Sequence, residues 1–255
     1  MSKNPKPKRT TAEVLESIHN KHDLKNGVMF NFELCTRHQE EYYSTYPIPD
    51  EIECNVAVDL GCNMGFFVRD HHERFNKLYA IDASYQNFIE TLKKALALQL
   101  KFNTGHNIAC FNLACAGTTG DIIKIYRHSP NMQSVSPVTV PEMLEELYED
   151  FDEWREFEFY HPVMTISLDG LYDLLGVDYI DYLKVDIEGA EFDFLLGQDL
   201  SRIGGLALEA HGTFGQERRD ELENYVKKYF DVHTVIDDDP APSHSVKVYL
   251  NKSFK

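Results

Sequence analysis

Apolar and polar residues follow two rhythms along this chain. Short, nearly continuous apolar runs such as Val56-Ala57-Val58-Asp59-Leu60 alternate with longer stretches whose apolar residues recur three and four apart. A run apolar on both faces suits a strand covered by helices on either side, and the wider spacing puts one stripe of a helix against a core. The pattern predicts a strand at Val56–Leu60, a helix from Phe66 to Phe75, a strand at Leu78–Ile81, a helix at Ser84–Phe102 capped by Ser84, and a third strand at Asn107–Cys115. It goes on with a strand at Asp121–Tyr126, a loop at Asn131–Pro141, a helix at Glu142–Phe151, a strand at Phe157–Leu168 and a short helix at Asp169–Leu175. A strand at Tyr179–Val185, a helix at Glu191–Leu196, a strand at Leu206–Ala210, a helix at Gln216–Phe230 and closing strands at Val232–Ile236 and Val246–Leu250 complete it. This alternation predicts an α/β fold built on a mostly parallel sheet with helices on both faces. Upstream, Thr11–Lys21 reads as a helix, and Phe30–Asp50 is aromatic and polar without a clear period. Residues 1–50 are therefore expected to form an N-terminal extension or helical cap over a site, and residues 51–255 one domain.

Composition narrows the class. With 43% hydrophobic residues and no apolar run near the roughly 20 residues of a membrane span, the chain is expected to be soluble. The N-terminus is basic without an apolar stretch behind it, so no secretory signal is read and a cytoplasmic location is expected. The five cysteines (Cys35, Cys54, Cys62, Cys110, Cys115) lack a CxxC pair or zinc spacing. A formal charge of −17 argues against a protein that grips nucleic acid over a broad surface. Nine acids and one base fall between Glu142 and Glu158, which reads as a solvated helix face, and the basic tail Lys3, Lys6, Lys8 and Arg9 reads as solubilising. Oligomeric state is not legible.

Three features carry chemistry. The first is Asp59-Leu60-Gly61-Cys62-Asn63-Met64-Gly65, between a strand and a helix. Glycines allow a tight turn and close approach of a ligand, and the helix N-terminus offers free N–H groups. The spacing is not the GxGxxG of dinucleotide enzymes. An acid at the strand end opposes pyrophosphate and suits a ligand with an ammonium group, such as the methionine portion of S-adenosylmethionine. The second is Asp82, which ends the next apolar run 21 residues after Gly61, where an acid commonly binds ribose hydroxyls. The third is Lys184-Val185-Asp186-Ile187-Glu188-Gly189-Ala190-Glu191. Its first three charges cluster at the carboxyl end of a buried strand, where open α/β sheets bind ligands.

These motifs resemble the FkbM family of methyltransferases, whose hallmarks are an Asp-x-Gly-x-Asn-x-Gly turn and a Leu-Lys-x-Asp-x-Glu-Gly-x-Glu segment preceded by a Leu-Asp. The chain has Asp59 to Gly65, Leu168-Asp169 and Leu183 to Glu191, and the resemblance runs from about Cys54 to His211. It implies a Rossmann-like class I methyltransferase fold, a seven-stranded sheet whose last strand is antiparallel. It also implies S-adenosylmethionine as methyl donor and a hydroxyl acceptor, on a sugar, glycan or small natural product. By that analogy Asp59, Gly61, Asn63 and Gly65 surround the methionine end and Asp82 with Ala83 the ribose. The end of the third strand, Ala114 to Ala116 with Cys115 and Ala116 foremost, borders the adenine. Asp186 reaches both cofactor and acceptor, and Ser134 and Ser136 fall in a loop near the cofactor.

A hydroxyl acceptor has to lose its proton to a side chain within hydrogen-bond reach. Asp186, Glu188 and Lys184 end one strand, and Glu209 and His211 the next, so Asp186 or His211 is expected to be the base. Asp186, Glu209 and His211, with Glu188, also form a possible divalent-metal set, though a metal is not the favoured expectation. A nicotinamide oxidoreductase is disfavoured by Asn63 and Asp59, and a nucleic-acid methyltransferase by the acidity and the lack of an Asn-Pro-Pro-aromatic motif. A non-catalytic scaffold that binds S-adenosylmethionine on the same fold is the alternative. The acceptor itself has no code; Tyr42, Tyr43, Tyr46 and neighbouring aromatics are expected to shape its pocket.

Overall fold

The structure is a computed structural model that describes residues 46–102, 107–127, 133–134, 160–211, 215–238 and 244–254. The expected helices at Thr11–Lys21 and Glu142–Phe151, the aromatic stretch before Tyr46, and Ser136 lie outside the described residues. Contacts group the chain into Met1–Tyr43 and Ser44–Lys255, and every described residue belongs to the second unit.

Seven strands form the main sheet: β1 (Val56–Leu60), β2 (Lys77–Asp82), β3 (Asn107–Asn112), β8 (Ile180–Val185), β9 (Ile203–His211), β10 (Phe230–Asp238) and β11 (His244–Asn251). Their order is β10-β11-β9-β8-β1-β2-β3. The pairs β8–β1, β1–β2, β2–β3 and β8–β9 are parallel, and β11 runs antiparallel between β9 and β10. This is the predicted sheet with its antiparallel last strand. Every residue of β1 and β8 is buried, as the unbroken apolar runs require. β4 (Ala114–Cys115), β5 (Ile122–Arg127), β6 (Gln133–Ser134) and β7 (Tyr160–Ile166) form a second, four-stranded sheet in the order β4-β7-β5-β6.

The helices are α1 (Phe66–His71), α2 (Tyr85–Phe102), α3 (Leu168–Leu175), α4 (Glu191–Leu195) and α5 (Gln216–Val226). Helix α3 shows why these segments fold as they do. The Ser167 side chain accepts from Gly170 N at its start, Gly176 ends it in the left-handed region, and Leu168, Leu171, Tyr172 and Leu175 bury one stripe. None of the described helices is long and apolar enough to cross a membrane.

The structure corrects several boundaries. The expected third strand divides after Asn112: β3 stays in the main sheet, whereas β4 turns away to pair with β7. Ala116 N continues that turn by donating to Ile166 O at 3.0 Å. Cys115 thus belongs to the second sheet, and Ala116 follows it out of β4, so neither ends the third strand. Strand β9 begins three residues earlier than expected, at Ile203, through Gly204 and Gly205. A side chain at Gly205 would stand 2.7 Å from the Ile52 side chain and 3.0 Å from Tyr182, so a glycine that reads as a break is a packing requirement. Helices α1 and α5 stop short of the predicted ends, at His71 and Val226.

Candidate functional site

The chain leaves β1 through the glycine turn and enters α1. Gly61 N and Cys62 N donate to Ile81 O at 2.9 and 3.1 Å, which pins the turn to β2. Gly61 (φ +72°) lies against the chain that leaves β8: a Cβ there would fall 1.6 Å from Asp186 O. Gly65 (φ +73°) sits over Thr91 of α2, and the Thr91 hydroxyl donates to Asn63 O at 2.9 Å. Asn63 holds a left-handed conformation, and its N–H donates to Asp82 Oδ2 at 2.7 Å.

Asp82, at the end of β2, is buried and also accepts from Ser84 N at 2.8 Å and, at 3.4 Å, from the Asn87 amide. Burial raises its carboxyl to about 7, against the pull of these donors. Ala83 follows, its carbonyl accepting from Asn112 Nδ2 at 2.9 Å and lying 2.8 Å from His161 Nε2. The glycine turn and the ribose-position acid are therefore hydrogen-bonded to each other.

One strand over, Lys184 lies in the core. Its ammonium is 3.0 Å from Asp59 Oδ1 and 3.5 Å from Asp186 Oδ2 and donates to Gly61 O at 3.1 Å, with Lys184 and Asp59 side chains 1% and 0% exposed. The two residues form a buried ion pair beneath the turn. Burial raises Asp59, and the Lys184 charge works against that rise.

Parallel pairing of β8 with β9 brings Asp186 beside Glu209 and His211. Tyr46 completes this group: its hydroxyl is 2.9 Å from Glu209 Oε2 and 3.5 Å from Asp186 Oδ2. His211 Nδ1 lies 2.8 Å from Glu191 Oε1, which also accepts from Ile187 N at 3.1 Å. His211 Nε2 faces Glu188 Oε2 at 3.5 Å and Glu209 Oε1 at 3.6 Å. Glu188 is the most exposed member, and it holds a left-handed backbone (φ +53°). Burial alone would lower the basicity of His211. The hydrogen bond that His211 donates to Glu191 and the charges of Glu191, Glu188 and Asp186 raise it well above the ordinary histidine range. Burial, and then Asp186, push Glu209 up to about 7, opposed by His211, the Tyr46 hydroxyl and Lys184.

Ligand atoms of Asp186, Glu188 and His211 lie within 4.8 Å of one another, a spacing that can hold a divalent ion. Of the four residues the sequence offered for a metal, Glu209 is the one outside that group. The structure thus gathers Asp59, Lys184, Asp186, Glu188, Glu209 and His211 at neighbouring strand ends, beside the turn and Asp82. Ser134 lies on β6, paired with Tyr126 of β5. Sequence reasoning missed two partners. Glu191, buried at the start of α4, orients His211, and only its place within the quoted motif hinted at it. Tyr46 was expected to shape an acceptor pocket, but nothing in its neighbourhood showed that its hydroxyl meets carboxylates.

Residues 59–231 match the methyltransferase FkbM domain, more than half of the 255-residue chain. Among solved structures, the chain is similar to an FkbM methyltransferase from Methylobacillus flagellatus KT, at 18% identity and a TM-score of 0.48, over 77% of this chain and 44% of that one. It thus spans less than half the length of that protein. It is also similar to magnesium protoporphyrin IX methyltransferase from Synechocystis PCC 6803 with bound SAM, at 9% identity and a TM-score of 0.43, over 89% and 85% of the two chains. TrmK of M. capricolum, in complex with S-adenosyl-homocysteine, is similar at 11% identity and a TM-score of 0.40, over 79% and 63%. No curated protein matches the sequence. The match spans the glycine turn and the ends of β8 and β9, and this chain belongs to the methyltransferase FkbM domain family.

Proposed function

We propose that the chain binds S-adenosylmethionine and methylates a hydroxyl on a sugar, glycan or small natural product. The observation that carries this reading is one continuous edge. The glycine turn and Asp82, which offer a close-approach cradle and a carboxylate, adjoin the Asp186–Glu209–His211 group through Lys184. Family membership supports methyl transfer as the chemistry. S-adenosylmethionine, when bound, supplies a methyl group on a sulfonium. Gly61, Asn63 and Gly65 surround its methionine end, Asp82 takes the ribose hydroxyls, and Ala83 adjoins the ribose. Cys115 on β4 and Ala116 after it adjoin the adenine.

The protein's part in transfer is to position the partners and to remove a proton. The carboxylates around His211 favour its charged form, which makes Asp186 the better base and leaves His211 as a charged neighbour. Lys184 holds Asp186 and the turn in register. A screen of hydroxylated acceptors with labelled methyl donor tests this reading, and incorporation into none would overturn it. On an acceptor so found, Asp186→Asn is expected to lower transfer by about 10²–10⁴-fold with cofactor affinity nearly unchanged. An equal loss of affinity would place Asp186 in binding alone.

Two further outcomes are expected. Ribose hydroxyls donate to Asp82 only when it is ionised, and its carboxyl sits at about 7 in the free protein. Cofactor affinity should therefore fall as pH drops below that value, by up to about tenfold per pH unit, and Asp82→Asn should flatten the dependence. Calorimetry across that range reads it. The reading also needs no metal, since Lys184 and His211 supply the positive charge among these carboxylates. Chelation should leave transfer unchanged; activity lost to chelator and restored by magnesium would assign an ion to Asp186, Glu188 and His211.

A further inference from the structure

Tyr46 lies ahead of the stretch that matches the family, yet its hydroxyl meets the two strand-end carboxylates. The segment that carries it is built into the domain. Pro47 O accepts from the Tyr182 hydroxyl at 3.1 Å, and the Arg74 guanidinium donates to Ile48 O and Pro49 O at 3.0 and 2.8 Å. Ile48 and Ile52 are buried, Ile52 against Gly205 of β9. Tyr46 is itself 2% exposed, and its ring lies 5.2 Å from the Lys184 ammonium.

A buried tyrosine that only fills space needs one acceptor for its hydroxyl, and a backbone carbonyl would serve. Here the hydroxyl instead reaches Asp186 and Glu209, two acids on neighbouring strands whose charges repel. We propose that Tyr46 is a positioning residue that holds Asp186 and Glu209 side by side, so that Asp186 stays turned to the acceptor's hydroxyl. This rests on the reading of Asp186 as base. In the step it serves, the acceptor O–H bond breaks and its proton passes to Asp186, while the oxygen's electron pair forms the new O–CH₃ bond and the S–CH₃ bonding pair stays on the donor's sulfur, which leaves as a thioether. Tyr46 keeps its own proton and donates it as a hydrogen bond, at 2.9 Å to Glu209 and 3.5 Å from Asp186.

The electrostatics point the same way. The Tyr46 hydrogen bond lowers the Glu209 carboxyl, against burial and the charge of Asp186. The other groups that face this pair are Lys184 of β8, Glu188 after it, His211 of β9, and Glu191 of α4 through His211. Removing only the hydroxyl takes away the donor between the two carboxylates, so they should part.

The test is the crystal structure of Tyr46→Phe in the full chain beside the wild type, with melting and S-adenosylhomocysteine calorimetry of both. The Asp186 and Glu209 carboxylates are expected to part once the shared hydroxyl is gone, with the thermal midpoint and S-adenosylhomocysteine affinity near wild type. Tyr46→Leu, which also removes the ring, should part them at least as far. In transfer assays on an acceptor found by the labelled-methyl screen, kcat should fall about tenfold while KM for the methyl donor holds. Unmoved carboxylates in a folded Tyr46→Phe protein would reduce Tyr46 to packing and overturn the proposal. Failure of the wild-type protein to bind S-adenosylhomocysteine would instead sink the cofactor reading, and the carboxylate positions would still report on Tyr46.

Discussion

Gly61→Ala is expected to abolish cofactor binding and to destabilise the fold severely. The added Cβ would fall 1.6 Å from Asp186 O and 2.7 Å from its carbonyl carbon. Those are backbone atoms, and Asp186 N is tied to Leu60 O at 3.1 Å, so the obstacle cannot rotate away. Relief would require parting β1 from β8 at the centre of the sheet. Left-handed φ at a residue with a Cβ adds about 1 kcal/mol by itself, and the clash should bring the loss to about 4 kcal/mol or more. For a domain of this size that lowers the melting temperature by roughly 10 °C or more. Gly65→Ala is the natural control. Its φ is similar, but its Cβ would meet the Thr91 side chain at 3.0 Å, which can shift, so a smaller loss is expected. Calorimetric melting of both variants reads the difference, and equal stabilities would mean that contact with Asp186 does not decide the turn.

Lys184→Met should be the second severe variant, and Asp59→Asn/Lys184→Met should recover part of its loss. A fully buried carboxylate that loses its ammonium leaves an uncompensated charge, at a cost of about 3–5 kcal/mol, whereas removing both charges is far better tolerated. Lys184 also donates to Gly61 O, so the double variant should stay below wild type. The pH dependence has a definite sign. Burial raises Asp59, and without Lys184 nothing as strong opposes the rise. The folded state then binds more protons than the unfolded one, and stability falls as pH rises. Lys184→Met should therefore melt higher at about pH 5 than at about pH 8, a contrast that Asp59→Asn removes. Additive losses in the two single variants would contradict a coupled pair.

Much of the fold was legible because its strands are apolar on both faces and its turns carry glycine. Val56 to Leu60 and the turn after it could hardly fold otherwise. The third strand was misread because Leu113 to Cys115 is as apolar as the residues before it. Only pairing with β7, far along the chain, shows that these residues leave the main sheet. Charges were the harder problem. Lys184, Asp186 and Glu188 look alike in sequence, spaced two apart at a strand end, yet Lys184 is buried on Asp59 while Glu188 is half-exposed. Alternation cannot separate a core ion pair from a reactive group, because both need a charge at that place and the partner comes from another strand. The same holds for Glu191 and Tyr46, whose roles exist only through contacts with His211, Asp186 and Glu209.

The central claim is that the Gly61–Gly65 turn and Asp82 hold S-adenosylmethionine. Calorimetric titration of S-adenosylmethionine into the wild-type protein and Asp82→Ala tests it most directly. Saturable binding at a single site is predicted for the wild type, with affinity lost or strongly weakened in folded Asp82→Ala protein. No binding to a folded wild-type protein, or equal binding by Asp82→Ala, would contradict it.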